Sequence, residues 1–310
     1  MNPKYEFTGE QKEVVSSDGT THIVRRIRCL IYIRRHGVKP GDLGGWIENE
    51  DNLYQNATDA WVAGEAIVFD KAKVISDALV CGNAQVYHYA TVCGSAIVTD
   101  DAKVFGVTYE VSGSQYASIN CSTINGDAIV SDRAKIYGSI KVHGFTRVFG
   151  DAELSGYAEI SGFARVFDHA KVSDSAKIYE NAEVYGHASI KGYCRVHGSA
   201  RVYGNAEIRD AANVDGGTVC DNVILTDKCH VTNNAALREG VIMAGQSVVE
   251  SGLVAGSVTM LHSAAIKIAG DVIGNTRLIL GAVIDGWGTV DGDNLVIRDN
   301  IYVEGEFPKN

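Results

Sequence analysis

Residues 128–160 read AIVSDR AKIYGS IKVHGF TRVFGD AELSGY AEI when the chain is divided into sixes. The third residue of each six is aliphatic, and this pattern continues without interruption to Val214. The aliphatic residues are Val130, Ile136, Val142, Val148, Leu154, Ile160, Val166, Val172, Ile178, Val184, Ile190, Val196, Val202, Ile208 and Val214. Ala stands two places earlier in all but three units, the exceptions being Ile140, Thr146 and Cys194. A strict period of six residues is typical of a parallel β-helix.

The same unit fills residues 60–104, where regularly spaced valines each follow an alanine by two places. These valines are Val62, Val68, Val74, Val80, Val86, Val92, Val98 and Val104. Residues two apart face the same side of a strand, so each Ala and Val should point inward together. The Gly, Asp, Asn or Ser residues that follow are suited to turning the chain at a corner. Three such units would close a triangular coil of about 18 residues, with Val and Ala filling its bore.

An amphipathic helix is the main alternative to this interpretation. It needs apolar residues at i, i+3, i+4 and i+7, whereas here they fall at i, i+2, i+6 and i+8. The frequent Gly and β-branched residues also oppose a helix. The sequence therefore predicts an all-β fold, a single-stranded parallel β-helix built from hexapeptide repeats.

Composition bounds the function classes. The chain has 310 residues, a net charge of −10 and seven cysteines without a C-x-x-C spacing. A repeat array grows coil by coil, so this length does not require two globular domains. The acidic balance argues against nonspecific binding to a nucleic-acid backbone. We expect no membrane span and no secretory signal, and the cysteine usage favours a reducing, cytoplasmic setting.

The N-terminal segment, 1–55, does not follow the repeat. Within it, the stretch 21–33 is rich in Ile and Val and predicts one or two strands. A β-helix needs a cap over its open bore and its unpaired strand edge. We therefore expect residues 1–55 to form a capping module in which Trp46 plugs the bore. A binding role for the same segment is the alternative.

A family resemblance rests on the stretch GDLGGWIE at residues 41–48, followed by Asn52-Leu53 and then the Ala-x-Val units. This arrangement resembles the N-terminal signature of YdcK-like hexapeptide-repeat proteins, which occur in bacteria, phages and prophages. The resemblance covers roughly residues 21–214. It implies a left-handed β-helix of the kind found in hexapeptide acyltransferases, and the handedness comes from the resemblance alone. The family is commonly labelled as transferases without an established substrate.

The organisation along the chain follows from where the period holds. After residues 1–55 come a first array at 56–104, an irregular insertion at 105–127 and a second array at 128–214. The insertion predicts a bulge or protruding loop, which either carries function or is a tolerated surface addition. Residues 215–310 keep the period loosely, and we expect further coils there, with Trp287 and Phe307 toward a C-terminal cap.

Residues one coil apart should stack on one face, and the position after the core valine is aromatic in several coils. One predicted column contains Phe149, Phe167, Tyr185 and Tyr203, and a second contains Phe69, Tyr87 and Phe105. Arg147, Arg165 and Arg201 run beside the first column, with Glu183 between them. Aromatic rings beside guanidinium groups are suited to stacking a nucleotide-like ligand or to binding a protein partner. The alternative is a cross-strand ladder that only stabilises the stacked strands.

Histidine is the catalytic base in hexapeptide acyltransferases, so the resemblance directs attention to the imidazoles. His169 and His187 are separated by the length of one predicted coil and should stack at one corner. Such a pair could act as a base or hold a metal, but exposed corners also favour polar side chains with no function. His143 and His197 share another face, and His88 occupies a further corner. We take His169 and His187 as the candidate catalytic residues and predict no metal site.

Three functions remain open at this point. The first is a phage- or prophage-type binding protein that presents the aromatic and arginine column to a nucleotide-like small molecule or a macromolecule. The second, implied by the resemblance, is an acyltransferase that binds acetyl-CoA or another acyl-CoA in the groove of a homo-trimer. The third is a structural component of a filament or particle.

Overall fold

The computed structural model describes residues 3–55, 58–109, 118–120, 122–267 and 270–308. In this part of the chain the regular elements are short β-strands and one turn of 3-10 helix, η1, at Arg34–His36. The chain divides into two compact units, Met1–Ser161 and Gly162–Asn310. Each unit is a parallel β-helix, so the predicted all-β fold is confirmed. The left hand of the helix stays a prediction.

The first unit contains strands β1 to β20. They are β1 Tyr5–Val15, β2 Thr21–Cys29, β3 Leu43–Ile47, β4 Trp61–Val62, β5 Ile67–Val68, β6 Lys73–Val74, β7 Leu79–Val80, β8 Gln85–Tyr87, β9 Thr91–Val92, β10 Ile97–Val98, β11 Lys103–Phe105, β12 Val107–Tyr109, β13 Ser118–Asn120, β14 Thr123–Ile124, β15 Ile129–Val130, β16 Lys135–Tyr137, β17 Lys141–Val142, β18 Arg147–Val148, β19 Glu153–Leu154 and β20 Glu159–Ile160.

The second unit contains strands β21 to β41. They are β21 Arg165–Val166, β22 Lys171–Val172, β23 Lys177–Ile178, β24 Glu183–Val184, β25 Ser189–Ile190, β26 Arg195–His197, β27 Arg201–Val202, β28 Glu207–Ile208, β29 Asn213–Asp215, β30 Thr218–Val219, β31 Ile224–Leu225, β32 His230–Leu237, β33 Ile242–Met243, β34 Val248–Val254, β35 Thr259–Met260, β36 Ala265–Ile266, β37 Asp271–Leu278, β38 Val283–Gly286, β39 Thr289–Ile297, β40 Ile301–Val303 and β41 Glu306–Phe307.

The register of the strands follows the repeat. In the first unit β15 pairs in parallel with β18, three strands later, and this places Val130 beside Val148. In the second unit β21 pairs with β24, with Val166 beside Val184. The core valines and the alanines two places before them are fully buried throughout both arrays. Burying each such valine stabilises the fold by roughly 1.5 to 3 kcal/mol, so the bore is the main source of stability.

The corners explain why Asp alternates with Gly in the repeat. Asp132 has a φ of 56°, and its Oδ2 accepts a hydrogen bond of 2.9 Å from the backbone N–H of Gly150 in the next coil. In the second unit the carboxylate of Asp174 does the same for Gly192 at 3.0 Å. Asp tolerates the left-handed conformation better than most residues. Its side chain therefore turns the chain and also binds the corner of the following coil.

The N-terminal module begins with a β-hairpin. Strands β1 and β2 are antiparallel, β2 pairs antiparallel with β3, and β3 joins the parallel helix by placing Trp46 beside Ile67 and Ile47 beside Val68. Ile47 continues the line of inward side chains, and Trp46 lies outside the bore, beneath the hairpin. The expectation that Trp46 plugs the bore is therefore wrong, because the alternation of the strand directs Ile47 inward instead.

The Gly-Gly pair before Trp46 is explained by close packing. A Cβ atom on Gly44 would come within 2.6 Å of Ile27 Cγ1, and one on Gly45 within 2.6 Å of the Ala66 carbonyl oxygen. Beyond the motif, the buried amide of Asn52 donates hydrogen bonds to the carbonyls of residues 70 and 72. These contacts fill the top of the helix and satisfy part of its strand edge, which is how a cap is expected to work.

The insertion leaves the helix at one corner and returns without disturbing the coils. Strands before the insertion pair directly with strands after it: Val104 lies beside Ile136, and Val98 lies beside Val130. On its other side Val104 pairs with Val86, one regular coil earlier. The extra chain includes the antiparallel pair β12 and β13. The helix resumes at β14, a few residues before the sequence suggested, and residues 110–117 and 121 lie outside the described part of the chain.

The later coils are looser because their lengths vary. Val202 pairs with Val219, one residue short of a regular coil, whereas Val219 pairs with Leu237 at the regular spacing. One residue is lost at a corner in the shorter coils, which shifts the period that the sequence displays. The parallel pairing continues to β41. Trp287 is 62% exposed and so does not cover the bore.

The described cysteines Cys29, Cys81, Cys93, Cys194, Cys220 and Cys229 are all unpaired. Burial raises the pKa of the Cys194 and Cys229 thiols to about 12, so these two side chains act as small apolar residues. Among the residues described, no helix is long and apolar enough to cross a membrane.

Candidate functional site

The predicted aromatic column is present in the second unit, and we call it the open ladder. It consists of Phe167, Tyr185 and Tyr203. The ring centroids of Phe167 and Tyr185 are 4.8 Å apart with an interplanar angle of 6°, and those of Tyr185 and Tyr203 are 4.8 Å apart at 7°. All three side chains are partly exposed. The spacing equals that of neighbouring strands, so parallel pairing itself sets the stack.

The arginines beside the open ladder are linked through one carboxylate. Arg165 Nη1 lies 3.1 Å from Glu183 Oε1, and Arg201 Nε lies 3.6 Å from Glu183 Oε2. The Arg165 guanidinium also lies 5.5 Å from the centre of the Phe167 ring. Arg201 keeps 64% of its side chain exposed. The ladder is therefore flanked by two cations and one anion, and the cation of Arg201 faces solvent.

Exposed aromatic residues at the corners were missed by the sequence reasoning. Phe163 is 59% and Tyr193 is 74% exposed. Phe163 lies two residues before Arg165 and four residues before Phe167. The in–out alternation on and around β21 therefore places all three side chains on the outer surface. The signal was present in the sequence as the Phe-x-Arg-Val-Phe pattern, which starts from a Gly corner. We call Phe163, Arg165, Arg201 and the open ladder the open strip.

The first unit carries a matching pattern of its own. Phe145, Arg147 and Phe149 alternate with inward residues on and around β18, and Phe145 is 57% exposed. Tyr157, two corners after Phe145 along the chain, is 61% exposed. The predicted residues Arg147 and Phe149 thus belong to a surface of the same composition as the open strip.

The stacked geometry limits what the open ladder can bind. Rings 4.8 Å apart and almost parallel lie in contact with each other, so no base or nucleotide ring can enter between them. The exposed groups that a partner would meet are the ring edges, the guanidinium of Arg201 and the ring of Phe163. Such a surface is suited to side chains of another protein more than to planar bases.

A second ladder in the first unit is covered. Phe69 and Tyr87 stack at 4.9 Å, Tyr87 and Phe105 at 4.7 Å, and Phe105 and Tyr137 at 5.4 Å. The predicted column of three residues therefore extends to Tyr137 beyond the insertion. Phe69 is only 1% and Tyr87 only 5% exposed.

The cover over this ladder is the β1–β2 hairpin. Val14 from β1 and Val24 from β2 join Trp46 and the rings in one apolar cluster. Lys12 Nζ lies 4.2 Å and Arg26 Cζ 5.0 Å from the Trp46 ring, while its indole N–H donates to Glu65 at 2.9 Å. An aromatic ladder of this chain is thus a surface on which a polypeptide segment with mixed apolar and charged side chains docks.

The candidate catalytic pair, His169 and His187, does stack as predicted. The ring centroids are 4.9 Å apart with an interplanar angle of 7°, and both residues are exposed at a corner. No side-chain hydrogen bond joins the His187 imidazole to any residue in the described part of the chain. A general base needs a partner that orients its ring, so the arrangement does not favour His187 as a base.

Two other histidines are held by carboxylates. His143 Nε2 lies 3.2 Å from Glu159 Oε1, and His197 Nδ1 lies 3.4 Å from Asp215 Oδ1. The His197 ring also stacks on Tyr179 at 4.7 Å. Across the residues that the structure describes, no group of three or more His, Cys, Asp or Glu side chains is arranged to hold a metal ion.

The corner beneath the hairpin tip holds a set that sequence reasoning missed. His88 Nδ1 lies 3.0 Å from Asp70 Oδ2, and His88 Nε2 lies 3.5 Å from Ser17 Oγ. Asp70 and His88 stand one coil apart and stack through the repeat, whereas Ser17 comes from the distant hairpin. Sequence spacing alone gave no signal for this meeting of hairpin and corner.

Comparisons with protein-family models and with curated proteins gave no match. The family suggested by the GDLGGWIE stretch therefore stays a prediction, and the function is argued from the surfaces described above.

Proposed function

We propose that the chain is a protein-binding β-helix whose open strip receives a partner segment that carries apolar and acidic side chains. The observation that carries this proposal is the covered ladder of the first unit. There the same kind of aromatic stack is buried by a polypeptide hairpin of this chain. Within the open strip the rings of the open ladder are stacked in the same way, and in the described part of the chain they stay partly exposed.

The composition of the open strip supports a protein partner. Aromatic residues and arginine are the types enriched at the energetic centres of protein interfaces. Phe163 offers an exposed ring that a partner would bury, and the ladder offers ring edges fixed in place by their neighbours. Rigid side chains lose little conformational entropy on binding, which favours affinity.

The charges on the open strip support acidic side chains in the partner. Two arginines share one carboxylate, Glu183, and the guanidinium of Arg201 remains 64% exposed. A guanidinium with free N–H groups binds a carboxylate through paired hydrogen bonds. A nucleic-acid partner fits less well, because the rings stack on one another and the chain has a net charge of −10.

The test uses defined probes and the full-length protein. A fluorescent peptide of alternating valine and glutamate, its valine–lysine counterpart and AMP are titrated against it by anisotropy. We expect the glutamate peptide to bind, and Arg201→Glu to weaken binding by about 10-fold, which corresponds to about 1.4 kcal/mol. Phe163→Ser should weaken it by a similar factor because an apolar contact is lost.

Arg195→Glu is the matched control, since it makes the same charge change in β26, which pairs within a different set of strands. Its binding should equal that of the unmodified protein. Equal loss in both charge reversals would contradict the proposal, as would preferential binding of the lysine peptide or of AMP.

The acyltransferase alternative gains no specific support from the histidine geometry. His169 and His187 face each other, and His187 lacks an orienting hydrogen bond within the described residues. The proposal of a binding protein therefore stands ahead of an acyl-CoA enzyme.

A further inference from the structure

Ser17, His88 and Asp70 meet where the tip of the β1–β2 hairpin lies on a corner of the helix. We propose that they form a hydrolytic site in which Ser17 is the nucleophile, His88 the general base and Asp70 the positioning residue. The substrate class is a carboxylic ester with a short acyl chain. This inference is independent of the open strip and of the partner proposed for it.

The atoms that face one another are those that nucleophilic catalysis requires. One imidazole nitrogen, Nε2, faces the Ser17 hydroxyl at 3.5 Å, and the other, Nδ1, faces the Asp70 carboxylate at 3.0 Å. The carboxylate therefore favours the tautomer with the proton on Nδ1, which leaves Nε2 free to accept the hydroxyl proton. A serine–histidine distance of this length is common in sites without substrate.

The three residues differ in exposure, as their proposed roles require. The His88 side chain is 8% and the Asp70 side chain 24% exposed, while Ser17 is exposed at the hairpin turn. The base is thus shielded from water, and the nucleophile can be reached from outside. Because Ser17 is exposed on the turn, a small ester with a short acyl chain can reach its hydroxyl.

The turn that presents Ser17 is itself held in place. The backbone N–H of Ser16 donates to the Thr20 carbonyl at 3.0 Å and that of Gly19 to the Ser16 carbonyl at 3.1 Å. The Ser16 hydroxyl donates to the Asp18 carboxylate, and this contact lowers the pKa of Asp18 to about 2. The nucleophile is therefore carried by an ordered turn, as a catalytic geometry needs.

The chemical steps balance with water as the only co-reactant. Ser17 Oγ bonds the ester carbonyl carbon while its proton passes to His88 Nε2. The bond from that carbon to the alkoxy oxygen breaks, and His88 returns the proton to the leaving alcohol. Water then attacks the acyl-serine, His88 accepts a proton from it, and the proton passes to Ser17 Oγ as the carboxylic acid leaves.

The experiment combines a fluorophosphonate probe with p-nitrophenyl acetate on the full-length protein. We expect one adduct, located on Ser17 by peptide mass spectrometry, and a burst of p-nitrophenol. Ser17→Ala should abolish both, and His88→Gln should slow labelling by about 100-fold or more. Ser199→Ala, which removes another exposed corner serine, should leave both unchanged.

Asp70 is tested by conservative rescue, because a purely structural role would not show it. Asp70→Ala should slow labelling strongly, whereas Asp70→Glu should restore part of the rate at an unchanged melting temperature. No adduct on Ser17, or a labelling rate that His88→Gln and Asp70→Ala leave unaltered in folded protein, would overturn the proposal. In that case the three residues only anchor the hairpin.

Discussion

The covered ladder of the first unit and the open ladder of the second have the same stacking geometry and different surroundings. Neighbouring rings are 4.9 Å apart for Phe69 and Tyr87, and 4.8 Å for Tyr185 and Tyr203. Yet Phe69 and Tyr87 are almost fully buried, while the rings of the open ladder are partly exposed. The stack therefore forms without a cover, and the cover is a separate feature supplied by the hairpin.

This difference in burial means that a ring contributes to stability in different ways in the two ladders. In the first unit Phe69 and Tyr87 bury apolar surface on the hairpin as well as on their ring neighbours. In the second unit a ring gains mainly its contacts within the ladder, worth about 0.5 to 1.5 kcal/mol per pair beyond area burial. The covered ladder should then matter for folding and the open ladder for binding, which the following variants examine.

The largest expected effect is that of Phe69→Ala. Removing a buried aromatic side chain should lower the free energy of unfolding by about 4 kcal/mol, against about 1 kcal/mol for Tyr185→Ala in the open ladder. Urea unfolding followed by the fluorescence of Trp46 and Trp61, in a Trp287→Phe background, measures the first. The same titration followed by circular dichroism measures the second. Equal losses would remove the distinction between the ladders.

Lys4 gives the module over the first unit a pH dependence. Its side chain is 1% exposed, and burial lowers its pKa to about 8. The unfolded chain, with the ordinary value of 10.5, therefore binds more protons than the folded chain between these values, so this contribution to stability rises as pH increases from about 8 to 10.5. Below pH 8 the full penalty remains, about 3 kcal/mol.

Lys4→Met should remove this dependence. The difference in unfolding free energy between the unmodified protein and the variant, measured in urea at pH 7 and at pH 9.5, is expected to shrink or reverse at the higher pH in favour of the lysine. Subtracting the two proteins cancels the buried thiols, whose raised pKa values act in the opposite direction. If this difference in unfolding free energy did not change with pH, burial would not lower the pKa of Lys4.

Gly45→Ala tests how tightly β3 packs against the first coil of the helix. The added Cβ would lie 2.7 Å from Val62 Cγ1 and 2.6 Å from the Ala66 carbonyl oxygen, which should cost about 2 kcal/mol. Gly19→Ala is the comparison, because its φ of 86° is unfavourable but the space around it is open, and about 1 kcal/mol is expected. Thermal unfolding ranks the two, and the reverse order would show that β3 is loosely packed there.

The smallest expected effect on stability belongs to Glu183→Gln. Exposed ion pairs contribute about 0 to 1 kcal/mol, so the unfolding free energy should change by less than about 0.5 kcal/mol. Binding of the glutamate peptide should instead strengthen about threefold, because the arginines lose a competing carboxylate. Weaker binding in this variant would indicate that Glu183 positions Arg165 and Arg201 for the partner.

The fold was readable from the sequence because one short unit recurs and its alternation has a single solution. Val130 and Ala128 define the inward face, and every six as far as Val214 repeats that choice. The inward Cys194 followed from the same register. The described inward positions of the two arrays hold small or aliphatic side chains, so local pattern and global packing agree.

The parts that escaped prediction depend on contacts distant in sequence. Trp46 faces away from the bore because β3 joins β5 in a particular register, which no local pattern specifies. Ser17 meets His88 only because the hairpin folds back over the corner. Phe163 was overlooked because the predicted columns used only the position after the core valine, although the corner residue projects further into solvent.

The insertion at the end of the first array has a practical consequence. The strand before it, β11, pairs with β16 of the next coil in the same register as any other neighbours, with Val104 beside Ile136. One corner of the coil thus accommodates an extra segment of chain that does not follow the repeat, while the bore continues beneath it. Such a corner is a natural grafting point: an epitope, a tag or a small domain placed between β12 and β13 should be displayed without altering the scaffold.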